Sequence, residues 1–409
     1  MSWRVVPPAE SPLRLTTVVR AAVDLLTRAD APRTALHEAL RARTGARHVA
    51  LTDSGTSALR LAIEYATSRP GARRRVALPA WSCYDLVSAA VGADVEIDFY
   101  DLDPMTLAPD TPSLRAALAR EPAAVVIVHA FGVPMDVEPF RTGFAPGTLL
   151  IEDCAQAWGA RLSQRPLGER GDFAVFSFSR GKGITGGSGG ALASRGTENP
   201  AVLPAPGAGV RDLVGCLALL ALSPPAVFAI PSRIPALRLG ETRYRPPHAV
   251  GALSRAAAAV LHRGLADSDA GAEARRVVAD ALRLMLASHD RFSPIVAASN
   301  AEPSWLRFPV LAESLELRDL VVREGRALGV AASYPQPLPN LVRQLRGSTA
   351  SSGEWPGAER LASSLFTLPT HSAVSHQMIG QLDALLTQCA NAAPAGARRP
   401  TPTHRTPGR

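Results

Sequence analysis

Between about residues 45 and 195, short apolar runs rich in valine, isoleucine and leucine alternate with stretches of helical spacing. The runs predicted as β-strands lie at residues 48–51, 75–78, 95–99, 123–129, 149–151, 173–178 and 190–193. Helices are predicted at residues 54–66, 86–91 and 112–120. The run AAVVIVH at 123–129 is almost entirely apolar, which is typical of a strand covered on both faces. This alternation predicts an α/β fold built on a mostly parallel sheet.

The pattern changes after about residue 245. A stretch rich in alanine and arginine, 250–286, predicts a long helix with a break near 267–271. Further strands are predicted at 307–311, 330–333 and 365–368, and further helices at 317–328, 359–364 and 375–386. We therefore predict a large domain at 1–248, a smaller α+β domain at 249–390, and a disordered tail at 391–409.

One apolar segment, LVGCLALLALSPPAVFAI at 213–230, lies inside an expected insert of about 205–245. It is about long enough to cross a bilayer, but Pro224 and Pro225 interrupt it. The segment predicts a buried helix followed by a loop, or a helix packed on a partner subunit. Attachment to a membrane surface is the alternative. Residues 1–20 contain no apolar segment of the signal-peptide kind.

The length of 409 residues favours two domains, and 46% hydrophobic with 20% charged residues is typical of a soluble globular protein. The net charge of +8 raises the question of nucleic acid, but four arginines of the tail contribute half of it, and no nucleic-acid recognition motif is present. A mildly basic chain equally suits an anionic small substrate. The four cysteines form neither a CxxC pair nor a zinc spacing, so we expect reduced thiols, a cytoplasmic protein and no metal site.

Lys182 is the only lysine of the chain, and the other basic residues counted with it are arginines. Arginine is always protonated and a poor nucleophile, whereas lysine is a primary amine whose pKa can fall until it attacks a carbonyl. Lys182 lies between an apolar strand and a glycine-rich turn, in SFSRGKGITGGSGG, which is an unusual place for a surface lysine. The position therefore predicts covalent chemistry; chance survival of a surface lysine is the alternative.

Two adjacent carboxylates, Glu152 and Asp153, end the predicted strand at 149–151, at the edge where α/β sheets bind ligands. A pyridoxal 5'-phosphate (PLP) enzyme needs a lysine for the Schiff base and a carboxylate that keeps the pyridine nitrogen protonated. Lys182 and Asp153 are the candidates for these two roles. An ordinary loop or helix cap is the alternative for the carboxylates.

A phosphate site is predicted where Gly55, Thr56 and Ser57 open a helix after a strand, because N–H groups at a helix start favour phosphate. The same residues also form an ordinary N-cap sequence. Ser177 adds a hydroxyl just ahead of the lysine. Trp81 and Tyr84, which follow another predicted strand, are aromatic candidates for covering the pyridine ring, and packing in the core is their alternative.

These segments, in this order, resemble the DegT/DnrJ/EryC1/StrS family of sugar aminotransferases, which have the aspartate aminotransferase fold, also called PLP-dependent transferase fold type I. The matching motifs are SGTSAL (54–59), VALPAWS (76–82), VEIDFYDLDPMTLAPD (95–110), VHAFGVPMDV (128–137), IEDCAQAWGA (151–160), SFSRGK (177–182) and LASSLFTLPTH (361–371). The resemblance spans roughly residues 10 to 390. It implies a mostly parallel seven-stranded-type sheet, PLP as cofactor, and a homodimer with active sites at the subunit interface.

The resemblance also implies a role for each matched residue. Lys182 forms the Schiff base and Asp153 pairs with the pyridine nitrogen. Gln156 lies near the phenolic oxygen and Ala155 packs under the ring. Thr56, Ser57 and Ser177 hold the phosphate, with Gly55 in the same turn, and His129 is structural.

Three positions depart from the family pattern. The aromatic residue that usually stacks on the ring is replaced by Cys83, so Trp81, Tyr84 or Cys83 itself is expected to cover the ring. In the glycine-rich turn after the lysine, Ser188 stands where the family usually has an acidic residue.

The third departure is the family's GxNxR segment, which reads GETRYR at 240–245. Its asparagine usually reaches the phosphate of the neighbouring subunit, so Thr242 or Arg243 is the candidate for this contact. These departures indicate a divergent branch of the family.

The predicted function is amino transfer from glutamate or glutamine to a keto-sugar, with a nucleotide-linked sugar as the expected acceptor, in polysaccharide or secondary-metabolite biosynthesis. A dehydratase or lyase of the same fold is an alternative, although dehydratases of this family carry histidine at the position of Lys182. A non-catalytic regulatory protein with the same fold is the second alternative. The sequence names neither the sugar nor the carbon that receives the amine.

Overall fold

The computed structural model describes residues 4–28, 30–197, 199–234, 242–346 and 353–394. Gly240, Glu241 and the tail from residue 395 lie outside the described residues. Within these ranges the strands are β1 (His48–Thr52), β2 (Arg75–Pro79), β3 (Glu96–Tyr100), β4 (Ala124–Val128), β5 (Leu149–Asp153), β6 (Arg161–Leu162), β7 (Arg165–Pro166), β8 (Phe173–Ser177), β9 (Gly190–Ser194), β10 (Phe292–Pro294), β11 (Ala301–Glu302), β12 (Phe308–Ala312), β13 (Ala331–Ala332) and β14 (Leu365–Leu368).

The helices described in the same ranges are α1 (Leu15–Thr27), α2 (Ala31–Thr44), α3 (Gly55–Ser68), α4 (Asp85–Gly92), α5 (Thr111–Leu118), α6 (Glu138–Arg141), α7 (Val210–Leu222), α8 (Pro225–Ser232), α9 (Arg255–Leu286), α10 (Leu315–Glu324), α11 (Leu338–Arg346), α12 (Pro356–Ser364) and α13 (His376–Ala392).

A seven-stranded sheet forms the centre of the fold, in the order β1-β9-β8-β5-β4-β2-β3. Only β9 runs against the other strands, so the sheet is mostly parallel. The first four residues of β4 are buried, as expected for a strand covered on both faces. The predicted α/β fold and mostly parallel sheet are confirmed, and β2, β5 and β8 end at one edge of it.

A second sheet, with the order β10-β12-β14-β13, is entirely antiparallel and follows the long helix α9.

The break predicted in α9 near residues 267–271 is wrong, because α9 is one continuous helix of 32 residues that includes them. The polar and small residues there make packing contacts instead. Asp267 pairs with Arg14 at 3.3 Å, the Ser268 hydroxyl accepts the indole N–H of Trp158 at 2.8 Å, and Gly271 packs on Pro12.

The apolar segment forms two helices, α7 and α8, rather than the expected buried helix followed by a loop. Cys216 is the buried residue of α7, whereas Val214 and Leu217 are exposed. Among the described residues, no single helix is long and apolar enough to cross a membrane; α7 and α8 pass that test only together, with a 109° bend between them. At the other end of the chain, α13 extends to Ala392, so the first residues of the expected disordered tail are helical.

Candidate active site

The sheet edge at which β2, β5 and β8 end forms one wall of a cleft. The starts of α3 and α4 contribute to the same cleft. Eight predicted residues line it, namely Gly55, Thr56, Cys83, Asp153, Ala155, Gln156, Ser177 and Lys182. The cleft therefore brings together residues that are far apart in sequence, whereas Ser57 and Trp81 are not among its lining residues.

Asp153 is the last residue of β5, and its side chain enters the cleft from the floor. Burial raises the pKa of its carboxyl, while the N–H of Ala155, donated to Oδ1 at 2.9 Å, and the charge of Lys182 oppose this rise. A buried carboxylate with one oxygen held by a backbone N–H is suited to accept a hydrogen bond from a protonated nitrogen of a ligand.

Glu152 precedes Asp153 on the strand and therefore points to the opposite face of the sheet. The N–H of Met135 donates to His129 Nδ1 at 3.0 Å, which leaves Nε2–H to donate to Glu152 Oε2 at 3.2 Å. Burial acts to raise the pKa of Glu152, but hydrogen bonds from His129 and from the N–H groups of Gly171 and Arg170 hold it below its ordinary value. Glu152 and His129 thus form a saturated buried network behind Asp153.

The Lys182 turn is fixed from both sides. The Ser11 hydroxyl donates to the backbone carbonyl of Lys182 at 2.8 Å. Gly190 lies so close to the start of α3 that a Cβ there would be 2.4 Å from the carbonyl carbon of Ser54. Since only glycine allows this approach, the glycine-rich turn holds the lysine segment against the predicted phosphate site.

Ser188 replaces the acid usual in this turn, and the structure shows an acid supplied from elsewhere. Ser188 Oγ donates to Asp212 Oδ1 of α7 at 2.7 Å, and Asp212 Oδ2 accepts a second hydrogen bond from Ser254 Oγ at 2.5 Å. The apolar insert is therefore attached to the lysine turn. Sequence reasoning missed this link, because nothing in the sequence near Asp212 relates it to residue 188.

At the predicted phosphate end, Ser54 caps α3. Its Oγ accepts the N–H of Ser57 at 3.1 Å and donates to the Ser57 hydroxyl at 3.0 Å, and Ser57 is buried. Thr56 and Ser177 instead face the cleft, next to the positive end of the α3 dipole. Ser177 Oγ lies 3.2 Å from Ser179 Oγ.

Of the three residues considered for covering the ring, Cys83 is the one that lines the cleft. Trp81 is buried, donates its indole N–H to the carbonyl of Tyr334 at 3.1 Å, and packs on the Tyr334 ring at 5.0 Å. Tyr84 is also buried. Burial, together with the nearby Asp85, raises the pKa of Cys83 to about 12, so this thiol is neutral at physiological pH.

Gln156 is held by two partners, of which sequence reasoning found neither. Its Oε1 accepts the N–H of Phe131 at 3.0 Å, and its Nε2 donates to the Tyr334 hydroxyl at 2.6 Å. Burial raises the pKa of Tyr334, so the phenol is protonated at physiological pH. Tyr334 follows a short strand far along the chain, and no local motif marks it.

Thr242 and Arg243, the candidates for reaching a neighbouring subunit, do not line the cleft. The segment that follows them is attached to α4 and α3, because the Ser88 hydroxyl donates to the carbonyl of Arg245 at 2.6 Å and Arg60 donates to that of His248 at 3.0 Å. Arg243 is exposed. The contact with a partner's phosphate stays a prediction.

A sequence model described as the DegT/DnrJ/EryC1/StrS aminotransferase family matches residues 21–202 and 248–384. The chain is 35% identical over 158 residues to L-glutamine:2-deoxy-scyllo-inosose aminotransferase of Streptoalloteichus tenebrarius, an alignment covering 38% of this chain and 37% of that relative. It is 28% identical over 346 residues to dTDP-3-amino-3,4,6-trideoxy-alpha-D-glucose transaminase of Micromonospora megalomicea subsp. nigra, covering 82% and 83% of the two chains.

Solved structures share the fold. The sugar aminotransferase CalS13 of Micromonospora echinospora has a TM-score of 0.71 at 21% identity, covering 94% of this chain and 99% of that one. The putative sugar aminotransferase Spr1654 of Streptococcus pneumoniae, in its PMP form, has a TM-score of 0.73 at 18% identity, covering 95% and 99%. At these identities the likeness concerns the fold.

Proposed function

The chain belongs to the DegT/DnrJ/EryC1/StrS aminotransferase family, and we propose that it is a PLP-dependent aminotransferase that moves an amino group from an amino acid to a keto-sugar. The observation that carries the proposal is the meeting of Lys182 and Asp153 in one cleft. PLP chemistry requires two groups from a protein. One is an amine that can attack a carbonyl, and the other is a buried carboxylate that pairs with the pyridinium nitrogen.

The residues present fit PLP. Thr56, Ser177 and the start of α3 suit its phosphate, and Asp153 suits its pyridine nitrogen. Gly55 lies so close to Ser177 that a Cβ at Gly55 would be 2.8 Å from the Ser177 Cβ, so a larger residue would displace the cradle. Ala155 and the neutral thiol of Cys83 line the same cleft with small side chains, and we propose that they lie against the ring.

When bound, PLP supplies an electron sink that stabilises negative charge on the α-carbon of the amino donor. Lys182 is the base of the cleft that takes the proton from this carbon and later returns a proton to the product. Asp153 keeps a proton on the pyridine nitrogen, because its buried negative charge favours the protonated form of a neighbouring base. Gln156, oriented by Phe131 and Tyr334, places an amide at the wall of the cleft.

Glutamate or glutamine is the proposed donor. Two acceptor classes are supported by the names of relatives: a keto-cyclitol, as in 2-deoxy-scyllo-inosose, and a dTDP-linked sugar. We propose a keto-sugar that is linked to a nucleotide, because the relative aligned over most of both chains carries the dTDP name. The proposal includes a homodimer, the division into domains at 1–248 and 249–390, and a cytoplasmic location, which is in keeping with free cysteines at positions 83, 154, 216 and 389.

The test separates the two half-reactions. Protein loaded with pyridoxamine phosphate is offered nucleotide-linked keto-sugars, keto-cyclitols and simple oxo-acids, and the absorbance change that reports return to the PLP form is followed in a single turnover. The nucleotide-linked class should react fastest. Lys182→Arg should fold as the wild type does, react with none of the acceptors, and show no PLP fixed to the chain by borohydride on mass spectrometry. If Lys182→Arg still transferred the amine, the proposed function would be wrong.

A further inference from the structure

Arg275 of α9 is a buried cation that has no counter-ion among the described residues. It is 3% exposed, and Nε donates to the carbonyl of Ser304 at 2.9 Å, whereas the buried Nη2 has no partner in the described part of the chain. Burial, together with the charge of the neighbouring Arg276, lowers the pKa of Arg275 to about 10, so the guanidinium is still charged at physiological pH. A buried charge without compensation is unfavourable, and such a group is suited to bind an anion from outside.

A pocket separate from the cofactor cleft lies beside this guanidinium. It is lined by the segment before α1, the middle of α9 and the residues after β14, and it shares no lining residue with the cleft that contains Lys182. Gly271 and Arg275, one helical turn apart on α9, both line it. A Cβ at Gly271 would lie 3.6 Å from Nη1 of Arg275. Because residue 271 has no side chain, Nη1 borders the pocket.

The two acids that line this pocket have basic partners of their own. Glu10 Oε2 lies 3.2 Å from His371 Nδ1, and Asp267 Oδ1 lies 3.3 Å from Arg14 Nε. Among the described residues, no acid opposes the fall in the pKa of Arg275. The pocket therefore has one positive group that is not matched, which favours a small anion over a cation as its ligand.

Two of the segments that line the pocket also contact the lysine segment. On the side of α9, a Cβ at Gly183 would lie 3.4 Å from Nη2 of Arg275, and Gly183 is the residue after Lys182. On the side of the N-terminal segment, the Ser11 hydroxyl donates to the carbonyl of Lys182 at 2.8 Å. An anion in the pocket would therefore bind to the same two segments that hold the lysine in place.

We propose that this pocket is a second binding site, which takes a small oxyanion, a carboxylate or a phosphate group, on Nη1 of Arg275. The inference does not rest on the proposed function, because the pocket and the cofactor cleft have no lining residue in common. A guanidinium N–H donates a charge-assisted hydrogen bond to either kind of oxyanion. The bound anion compensates the buried charge, so it stabilises the folded protein as its concentration rises.

Inorganic phosphate and acetate are the probes for this site. Each is titrated by calorimetry into PLP-loaded protein, in which the predicted phosphate site of the cleft is filled, at constant ionic strength. We expect wild type to bind at least one probe, and we expect Arg275→Gln to increase its Kd roughly 30-fold or more, as is usual when one partner of a buried charge pair is removed. Arg283→Gln alters an exposed arginine of the same helix, and this matched control should bind the probe as wild type does.

A second pair of variants keeps Arg275 and fills the site from within the chain. Gly271→Asp places a carboxylate four residues before Arg275 on the same face of α9, where the two side chains can pair. It should melt at a higher temperature than Gly271→Ala, which carries the same Cβ without the charge. Gly271→Asp should no longer bind the probe, whereas Gly271→Ala should still bind it. This comparison tests the site even if Arg275→Gln does not fold.

Competition then identifies the source of the anion. Loss of probe binding in the presence of dTDP would assign the site to the phosphates of a nucleotide, loss in the presence of glutarate would assign it to a carboxylate, and binding unaffected by both would assign it to a free anion. Each of these results supports the site. A wild-type protein that binds neither probe, an unchanged Kd in Arg275→Gln, or binding retained by Gly271→Asp would overturn the inference and leave the proposed function untouched.

Discussion

Asp153 and Glu152 show how neighbouring residues of one type take different roles. Both are carboxylates at the end of β5, and the alternation of the strand sends them to opposite faces of the sheet. Glu152 accepts hydrogen bonds from His129 and from backbone N–H groups, whereas Asp153 accepts one from the N–H of Ala155 and otherwise faces the cleft. The two carboxyls therefore have pKa shifts of opposite sign, and Asp153 carries a charge that the fold itself does not fully compensate.

Asp153→Asn should stabilise the protein without cofactor and abolish transfer. The folded pKa of Asp153 is raised above its ordinary value of 3.8, so its ionised form costs stability above the folded pKa, and the cost disappears as pH falls towards 3.8. The side-chain amide oxygen of the variant can still accept the N–H of Ala155. We expect a melting temperature a few degrees above wild type at pH 7, a difference that shrinks towards pH 4, and a loss of activity of about 10³-fold or more.

Differential scanning calorimetry of the cofactor-free proteins between pH 4 and pH 8 checks this prediction. Glu152→Gln is the matched control, since it lowers stability: Glu152 has a lowered folded pKa and contributes stability above its ordinary value of 4.5. A cofactor-free Asp153→Asn protein that melted below wild type across this range would contradict the argument.

At the scale of elements, the sequence predicted what depends on local pattern. The seven strands of the large sheet and the starts of α3 and α4 were readable, because apolar runs and cap residues act within a few positions. The continuity of α9 was not, because contacts with Arg14 and Pro12 compensate the residues that suggested a break. Tyr334 and Asp212 contact residues of the site only through the tertiary fold, and no spacing in the sequence encodes such contacts.

The link between α7 and the lysine turn supports a prediction about cofactor retention. Asp212→Ala leaves the hydroxyls of Ser188 and Ser254 without their acceptor, and hydrogen bonds to charged groups contribute about 1.5–3 kcal/mol each. We expect faster loss of PLP on dialysis and faster amide exchange at residues 183–190. Arg211→Ala, an exposed neighbour on α7, is the matched control and should retain PLP as wild type does.

A swapped pair sharpens the test. Ser188→Asp combined with Asp212→Ser returns the acid to the turn and keeps a hydroxyl opposite it, so it should recover part of the lost PLP retention. Equal retention of PLP by Asp212→Ala and Arg211→Ala would show that α7 does not hold the turn in place.

At the scale of the whole molecule, α1 and α7 pack side by side and leave apolar side chains uncovered. We call this surface the α1–α7 face; its exposed members are Leu15, Val19, Val23, Leu26, Val210, Val214 and Leu217. Val19 is 53% exposed and Val214 is 59% exposed, and exposed apolar side chains that recur along one face of each helix indicate an interaction site. Part of the face belongs to the segment between 202 and 248, which lies outside the family match.

We predict that the proposed homodimer forms through the α1–α7 face, because a two-fold axis would cover the same apolar residues of both copies at once. Val19→Glu combined with Val214→Glu should yield a monomer by sedimentation velocity, since buried carboxylates facing each other are strongly unfavourable. Leu284→Glu is the control and should remain dimeric, because it alters a 78% exposed leucine near the C-terminal end of α9. A dimer that survived the double substitution would exclude this face as the interface. A wild-type monomer that bound anionic vesicles through Val19 and Val214 would instead support the membrane-surface alternative for α7 and α8.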